Sequence, residues 1–178
     1  MKWFFCVKNK IECLIPTIDT DLLILAENKN KFWEKGIRVV ISDYEKIRIC
    51  RDKRLTADYF KKVGLNTPIP VDKVEDYKGE YPVFIKPKDG SSSVNAYKVC
   101  DYQKLVQIAK DLPDYIIQPF IDGTEYTVDV FCDFDGNPIY ITPRERLAVR
   151  AGEVLKTRIS NDNNIIREIK QLIQDYRP

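Results

Sequence analysis

The hydrophobic and polar positions of this chain follow two successive patterns, and the first one alternates short apolar runs with a helix. Residues 12–18 and 37–41 are apolar runs that predict short buried strands. Between them, Asp19 or Thr20 can cap a helix that is closed by Gly36. A strand, a helix and a strand in this order predict a parallel pair of strands.

The second pattern begins with helices and then changes to strands. Ser42 is expected to cap a short helix that ends at Cys50, and residues 52–63 read as a helix stopped by Gly64. Asp135-Gly136 is a strong signal for the turn of a hairpin. The expected later elements are strands over 83–86 and 94–99, a helix over 101–112, strands over 115–120, 124–134, 139–149 and 154–159, and an amphipathic helix over 161–176.

Composition and charge remove several classes of function. The 178 residues contain 29 Lys and Arg against 27 Asp and Glu, so the net charge of +2 gives no argument for nucleic acid or an anionic membrane as a partner. The absence of histidine excludes Ser-His and Cys-His nucleophiles, and any metal must be held by oxygen, which favours Mg²⁺. The basic run 48–54 reads as a solvated face or as a local anion site.

The cysteines and the apolar segments bear on the compartment. Five widely spaced cysteines without a Cys-x-x-Cys pair predict reduced thiols, and they support neither a disulfide framework nor a zinc site. The apolar run 3–7 is too short for the core of a signal peptide, and no segment approaches the length of a membrane span. We therefore expect a soluble, cytoplasmic protein.

The segment from Tyr81 to Ser93 carries the strongest chemical signal. An apolar strand leads to Lys86 and then to a loop with Gly90 and three serines. Backbone N–H groups and hydroxyls of such a loop can surround an anion such as a triphosphate. It is not a Walker phosphate loop, because no Gly-Lys-Ser/Thr ending opens a helix. A solvated Gly/Ser turn after a strand is the alternative interpretation.

Several separate segments agree with one family. They are residues 15–22, Asp52-Lys53 followed by residues 64–68, the Lys86 strand with its loop, residues 117–129 and residues 143–146. In their order and spacing they resemble the ATP-grasp superfamily, in particular proteins like the large subunit of carbamoyl-phosphate synthase. The resemblance implies an α+β protein with the ATP-grasp fold, incomplete at both ends and preceded by part of a Rossmann-like pre-ATP-grasp α/β domain.

The same resemblance implies a division into domains. Residues 1–51 would be the partial pre-ATP-grasp domain, and residues 52–178 the ATP-grasp domain. Within the latter, the small lobe would span about 69–118 and the start of the large lobe about 119–178. Family members continue with a segment that holds Mg²⁺, whereas this chain ends at Pro178. We therefore expect a fragment, natural or not, whose metal ligands cannot be placed on any residue of the chain.

The resemblance also implies roles for individual residues, each with a simpler alternative. Lys53 and Lys86 would bind the phosphates of ATP, and the loop over the triphosphate would consist of Gly90, Ser91, Ser92 and Ser93. The adenine hinge would consist of Ile117, Gln118 and Phe120, and Glu125 would bind the ribose. The transferred phosphoryl group would be stabilised by Arg144, Arg146 and Lys156. The alternatives are solvated charges for Lys53, Glu125 and the arginines, and an ordinary core strand for the hinge.

The function that the resemblance implies is the ATP-binding portion of a ligase. Its cofactors would be ATP and Mg²⁺, and a small carboxylate would be joined to an amine or ammonia through an acyl phosphate. The alternatives are a nucleotide-binding or assembly module without chemistry of its own and, ranked last, a plain α/β structural domain. An incomplete fold would leave strand edges exposed, so a homodimer or a partner chain that completes the fold is expected.

Overall fold

The structure, a computed structural model, describes residues 2–90, 93–150 and 152–178. The chain divides into two compact units, one made of the residues up to Cys50 with Pro178 and the other of Arg51–Arg177. Among the helices that the structure describes, none combines the length and the apolar composition needed to cross a membrane.

The first unit is a small α/β arrangement around a two-stranded parallel sheet. Its elements are α1 (Lys2–Lys8), β1 (Cys13–Leu14), α2 (Asp19–Glu27), α3 (Lys29–Trp33), β2 (Arg38–Val39) and α4 (Tyr44–Arg51), whose last residue belongs to the second unit. Cys13 lies opposite Arg38 in the parallel ladder, which confirms the predicted parallel pair. One cluster of buried side chains in this unit consists of Cys6, Leu25, Phe32, Ile37 and Val39.

The first unit also departs from the predicted elements. The single helix expected before Gly36 is interrupted at Asn28, whose side-chain amide donates to the carbonyl of Ile24 at 2.8 Å. Asparagine competes in this way for backbone groups that would otherwise continue a helix. The two strands pair over only two residues each, although longer apolar runs were expected. The expected burial of residues 12–18 is also wrong, since Ile15 and Ile18 expose 69% and 58% of their surface. An apolar run does not fix the length of a ladder, which depends on the partner strand.

The second unit contains two antiparallel sheets, each of three strands. Its elements are α5 (Lys53–Lys62), β3 (Val83–Pro87), β4 (Tyr97–Val99), α6 (Tyr102–Asp111), β5 (Tyr115–Pro119), β6 (Tyr126–Cys132), β7 (Pro138–Arg150), β8 (Glu153–Ile159) and α7 (Asn163–Tyr176). The first sheet has the order β4-β3-β5 and the second the order β6-β7-β8. We call them the packed sheet and the open sheet. Together with the parallel pair of the first unit and the helices of both units, these sheets give the mixed helix and sheet content that was predicted.

The packed sheet buries one face against α6. Val83 and Ile85 on β3 and Ile117 on β5 are fully buried, and they pack in one cluster with Leu105 of α6. Asp101 caps α6, since its carboxylate accepts the N–H of Lys104 at 2.8 Å. This core fixes the positions of the side chains on the other face of the sheet.

The open sheet is a meander followed by a helix. Gly136 has φ +79° in the turn between β6 and β7, a conformation that favours glycine, and the hairpin predicted from Asp135-Gly136 is present. The helix α7 begins after Asp162, whose carboxylate accepts the N–H of Asn164 at 2.8 Å, and it packs against β7. At the far end of α7, the ring of Tyr176 lies edge-on to Tyr59 of α5 at 5.7 Å.

Candidate functional site

The start of α5 lies directly beside the end of β3. Asp52 caps α5 by accepting the N–H of Arg54 at 2.9 Å, which places Lys53 in the first turn of the helix. The backbone N–H of Lys53 donates to the carbonyl of Lys88 at 3.0 Å. This bond attaches the helix to the segment that follows β3. Lys53 therefore lies next to the loop that Lys86 precedes, although the two lysines are far apart in sequence.

The two predicted phosphate-binding lysines influence each other electrostatically. Burial lowers the pKa of Lys86, and the charge of Lys53 lowers it further. Burial also lowers the pKa of Lys53, while Asp89 raises it in part and Arg51 lowers it again. Partly desolvated ammonium groups that repel one another gain from a multiply charged anion. The structure therefore brings Lys53 and Lys86 together in a setting that suits phosphate.

The loop after β3 is held by Lys53. The ammonium Nζ of Lys53 donates to the carbonyl of Gly90 at 3.1 Å and reaches that of Lys88 at 3.5 Å. Gly90 has φ +112°, which only glycine adopts without strain, and Ser93 has φ +55°. Of the predicted loop, Ser91 and Ser92 lie outside the described residues. Lys53 therefore contacts the loop, and backbone carbonyls of Gly90 and Lys88 accept its hydrogen bonds.

Aromatic rings and cations line the second face of the packed sheet. Phe84 and Lys86 alternate with the buried Val83 and Ile85 along β3, so they point away from the core. The ring of Phe84 lies 6.4 Å from that of Phe120. Lys98 of β4 places its Nζ 3.8 Å from the centroid of the Phe120 ring. This face can receive a flat ring beside a phosphate chain.

The predicted adenine hinge is largely engaged in sheet bonds. The N–H and the C=O of Ile117 both bond to Val71 at 2.8 Å, and the amide of Gln118 donates to the carbonyl of Pro68 at 2.7 Å. The N–H of Phe120 donates to the carbonyl of Pro82 at 3.1 Å. These groups are therefore occupied in this structure. Backbone groups of alternate residues face the same edge, so the carbonyl of Pro119 is the next one along the Val71 edge.

On the open sheet, Glu125 is already paired with one of the predicted arginines. Arg146 donates from Nη1 to Oε1 of Glu125 at 2.6 Å and from Nη2 to the carbonyl of Gly152 at 3.1 Å. Its Nε is buried without a hydrogen-bond partner among the described residues. Arg144 pairs through two nitrogens with Asp129, which raises the pKa of Arg144 and lowers that of Asp129. The ion pairs hold these side chains on one face.

Lys156 lies opposite Ala148 in the ladder of the open sheet. Its neighbour Thr157 is the ladder partner of Arg146, and Ile159 is the partner of Arg144. The ladder shifts register on both sides of Ala148, so the regular alternation of side chains is interrupted next to Lys156. The structure therefore brings Arg144 and Arg146 to one face, and the role of Lys156 stays a prediction.

Sequence reasoning did not single out three neighbours of the site. They are Arg51, which forms an ion pair with Asp89; Asp89 itself; and Lys98, which lies over Phe120. The available signal was the basic run 48–54, which left a local anion site open. No pattern in the sequence connects that run to Asp89, because the contact joins residues 38 positions apart.

The described residues offer no site for Mg²⁺ made by this chain alone. Among residues 2–90, 93–150 and 152–178, no group of three or more Asp, Glu, His or Cys side chains is placed to hold a metal ion. Mg²⁺ requires several oxygen ligands in near-octahedral geometry. We therefore assign no step of the chemistry to a metal held by these residues.

Comparison with protein families gives one match that covers most of the chain. The family described as "ATP-grasp domain" matches residues 50–177. This range begins one residue before the second compact unit and ends at its last residue.

Individual relatives and solved structures agree with that match. The chain is 32% identical over 127 residues to 3-methyl-D-ornithine–L-lysine ligase of Methanosarcina mazei, covering 71% of this chain and 31% of the relative. It is 21% identical over 145 residues to carbamoyl-phosphate synthase of Methanobrevibacter smithii, covering 77% of this chain and 39% of the relative.

Among solved structures, the biotin carboxylase domain dimer of the 2-oxoglutarate carboxylase of Hydrogenobacter thermophilus, in complex with MgADP, ADP and bicarbonate, has a TM-score of 0.80 at 15% identity, covering 98% of this chain and 44% of that chain. The chain spans about a third of the length of the first curated relatives.

Proposed function

This chain belongs to the ATP-grasp family, and from that premise we propose that it is the ATP-binding portion of a ligase that joins a carboxylate to an amine or ammonia. The observation that carries the proposal is the approach of Lys53 and Lys86 from separate elements, next to a glycine loop and an aromatic face. A nucleoside polyphosphate fits this combination, because it joins a flat ring to several negative charges.

Each group of residues has a role in the proposed complex. Lys53 and Lys86 offset the charge of the phosphates, and the Gly90 loop covers them and excludes water. The rings of Phe84 and Phe120 contact the adenine, and the carbonyl of Pro119 accepts a hydrogen bond from its amino group. Glu125 binds the ribose hydroxyls with one carboxylate oxygen while Arg146 holds the other.

The proposed reaction has two displacements. A carboxylate oxygen of the substrate attacks the γ-phosphorus, the bond to the β-γ bridging oxygen breaks, and ADP leaves with an acyl phosphate formed. The nitrogen of the amine then attacks the acyl carbon, phosphate leaves with the bond electrons, and the nitrogen loses a proton to solvent. Arg144 and Arg146 are the proposed stabilisers of the transferred group. The same role for Lys156, which lies opposite Ala148 between two register shifts, stays a prediction.

A second candidate is a nucleotide-binding module that performs no chemistry alone. Two observations favour it: the chain covers 31% of the Methanosarcina mazei ligase, and the described residues contain no carboxylate cluster for a metal. The two candidates differ in what metal does. Tight ATP binding without Mg²⁺ and no ADP release with any carboxylate and amine favour the module. ADP release only when both a carboxylate and an amine are supplied favours the ligase.

The expected homodimer or partner chain remains a prediction. The Hydrogenobacter thermophilus structure is described as a dimer, and Phe131 and Tyr140 of the open sheet expose 63% and 69% of their surface. The mass of the chain in solution tests the prediction. A monodisperse monomer across a range of concentrations contradicts it.

The binding proposal is tested by titrating the chain with adenosine, AMP, ADP and ATP. Affinity should rise with each phosphate. Lys53→Met and Lys86→Met should each weaken ATP binding by about 10- to 100-fold, since a hydrogen bond to a charged group contributes about 1.5–3 kcal/mol, and should leave adenosine binding unchanged. Lys110→Met, on the exposed side of α6, is the matched control and should change neither.

Two outcomes would contradict the binding proposal. One is an affinity that does not depend on the number of phosphates. The other is an equal loss of adenosine and ATP binding in lysine variants that keep the circular dichroism spectrum of the unmodified chain, because the lysines then do not act on the phosphates.

A further inference from the structure

Arg51 and Asp89 form an ion pair at the mouth of the predicted phosphate site. Arg51 is the last residue of α4, and its side chain is only 18% exposed. Its Nη2 contacts Oδ1 of Asp89, the residue between Lys88 and Gly90. The same oxygen of Asp89 accepts the backbone N–H of Gly90. One carboxylate oxygen is thus bound by a guanidinium and by the amide of the loop glycine.

This is the environment that a phosphate oxygen would need at the same place. Guanidinium groups and glycine amides at loops are the usual donors to phosphate. Asp89 also acts electrostatically on Lys53, whose pKa it raises, whereas Arg51 lowers the pKa of Lys53. The charge of Arg51 therefore acts on Lys53, and the charge of Lys53 acts on Lys86. The carboxylate of Asp89 offsets part of that charge.

The hydrogen bonds between Lys53 and the loop also occupy a donor that a phosphate could use. Lys53 Nζ donates to the carbonyls of Gly90 and Lys88, so the predicted phosphate cation is also occupied by the chain itself. A bound polyphosphate would offer Lys53 a stronger acceptor, because charge-assisted hydrogen bonds to anions are stronger than those to a neutral carbonyl. It would offer Arg51 several anionic oxygens in place of the single carboxylate of Asp89.

From these contacts we propose that Arg51 is a further phosphate-binding residue of the nucleotide site, and that the carboxylate of Asp89 takes the place of a phosphate oxygen until a polyphosphate displaces it. The inference rests on the proposed function and adds to it a competitor within the chain. Asp89 lowers the affinity for polyphosphate by the free energy of breaking its bond to Arg51. Asp89 therefore affects the binding of ligands that carry a polyphosphate and does not affect the binding of adenosine.

A purely structural role for the ion pair makes the opposite prediction. If Arg51 and Asp89 only hold the loop in shape, removing either charge disorganises the loop and weakens binding. If Asp89 is a competitor, removing its charge strengthens binding. The direction of the change in the Asp89 variant therefore separates the two roles.

The experiment measures binding of inorganic tripolyphosphate, ATP and adenosine to the whole 178-residue chain by calorimetry. Asp89→Asn should tighten tripolyphosphate and ATP by on the order of tenfold, as expected for removal of one charged competitor, and should not change adenosine. Arg51→Met should weaken tripolyphosphate, and it should do so by a larger factor when Asp89→Asn is also present. Arg51→Lys should recover part of the loss, because it restores the charge without the planar fork.

Asp114→Asn is the matched control. Asp114 pairs with Lys88 at 3.0 Å, so the substitution removes one negative charge and one ion pair from a neighbouring position. Asp114 has φ +52°, a conformation that asparagine tolerates. It should not change the affinity for tripolyphosphate by more than about twofold, since exposed ion pairs contribute little.

The outcomes distinguish this inference from the proposed function. If the unmodified chain binds ATP and Asp89→Asn binds tripolyphosphate equally well or more weakly, the inference is overturned and nucleotide binding stands. Equal tightening by Asp114→Asn and Asp89→Asn also overturns it, because net charge alone then explains the gain. If no variant binds ATP or tripolyphosphate, both proposals fail. Tightening confined to Asp89→Asn supports the inference.

Discussion

The packed sheet and the open sheet have the same number of strands but are stabilised differently. In the packed sheet, Val83, Ile85 and Ile117 are fully buried against α6. In the open sheet, Leu155 and Ile159 expose 66% and 68% of their surface, and side chains of neighbouring strands are joined by ion pairs. The first sheet therefore depends on apolar burial, and the second on its ladder, its helix and exposed charges.

This difference matters for the two halves of the candidate site. Lys86 and Phe84 stand on the back of a close-packed core, so their positions are fixed by residues that never meet a ligand. Glu125 and Arg146 hold each other, so each would have to keep this pairing while it binds a ligand. In the proposed complex, the packed sheet would therefore supply a rigid wall of the site and the open sheet an adjustable one.

The largest expected effect tests that contrast on two matched isoleucines. Ile85→Ala in β3 should lower the free energy of unfolding by about 2–5 kcal/mol, because it leaves a cavity in a fully buried cluster. Ile159→Ala in β8 should lower it by less than about 1 kcal/mol, since the side chain is already largely in solvent. Urea denaturation followed by circular dichroism measures both values. Equal losses at the two positions would show that the open sheet is covered in solution.

The contrast also explains what sequence could predict. Local patterns predicted the strands of the second unit, the helices over 52–63 and 101–112 and the turn at Gly136, and the structure contains them. The helix of residues 2–8, the break at Asn28 and the two-residue ladder of β1 and β2 were missed. Each depends on which backbone groups find partners, and apolar periodicity does not report that.

For the candidate site, the sequence indicated which side chains take part, but it did not indicate which residues they contact. Lys53 and Lys86 were named from the resemblance to the ATP-grasp superfamily, and the structure brings them together. The bonds of Ile117 to Val71 and the contact of Arg51 with Asp89 join distant segments. Register in a sheet and contacts between loops are set by tertiary packing, so no local pattern contains them.

A smaller effect is expected when the buried charge of the packed sheet is removed. Burial lowers the pKa of Lys86 below 10.5, so the folded chain holds its proton less firmly than the unfolded chain does. Stability should therefore rise as the pH increases from the lowered pKa towards 10.5, because the unfolded state binds more protons in that window. Lys86→Met should lose this rise and should be more stable than the unmodified chain at neutral pH, by up to about 1 kcal/mol.

Urea denaturation at a series of pH values measures this effect, with Lys110→Met as the exposed control. The control should keep the pH dependence of the unmodified chain. A Lys86→Met variant that is less stable at neutral pH would contradict this prediction. It would mean that another group compensates the buried ammonium of Lys86, so that this charge does not destabilise the fold.

The smallest expected change in stability belongs to the open sheet. Glu125 exposes 63% of its side chain and Arg146 only 17%. Because the carboxylate is open to solvent, the ion pair should contribute no more than about 1 kcal/mol, so Glu125→Gln should change the unfolding curve little. If Glu125 binds the ribose, the same substitution should weaken ATP by about tenfold and leave 2′,3′-dideoxy-ATP unchanged, because that analogue lacks the hydroxyls. Asp129→Asn, which removes the similar pair with Arg144, should affect both nucleotides equally or not at all. If Glu125→Gln weakened the binding of ATP and of its dideoxy analogue equally, the role of the carboxylate would be to position Arg146. Residues of the open sheet would then contact the nucleotide through the arginines and not through Glu125.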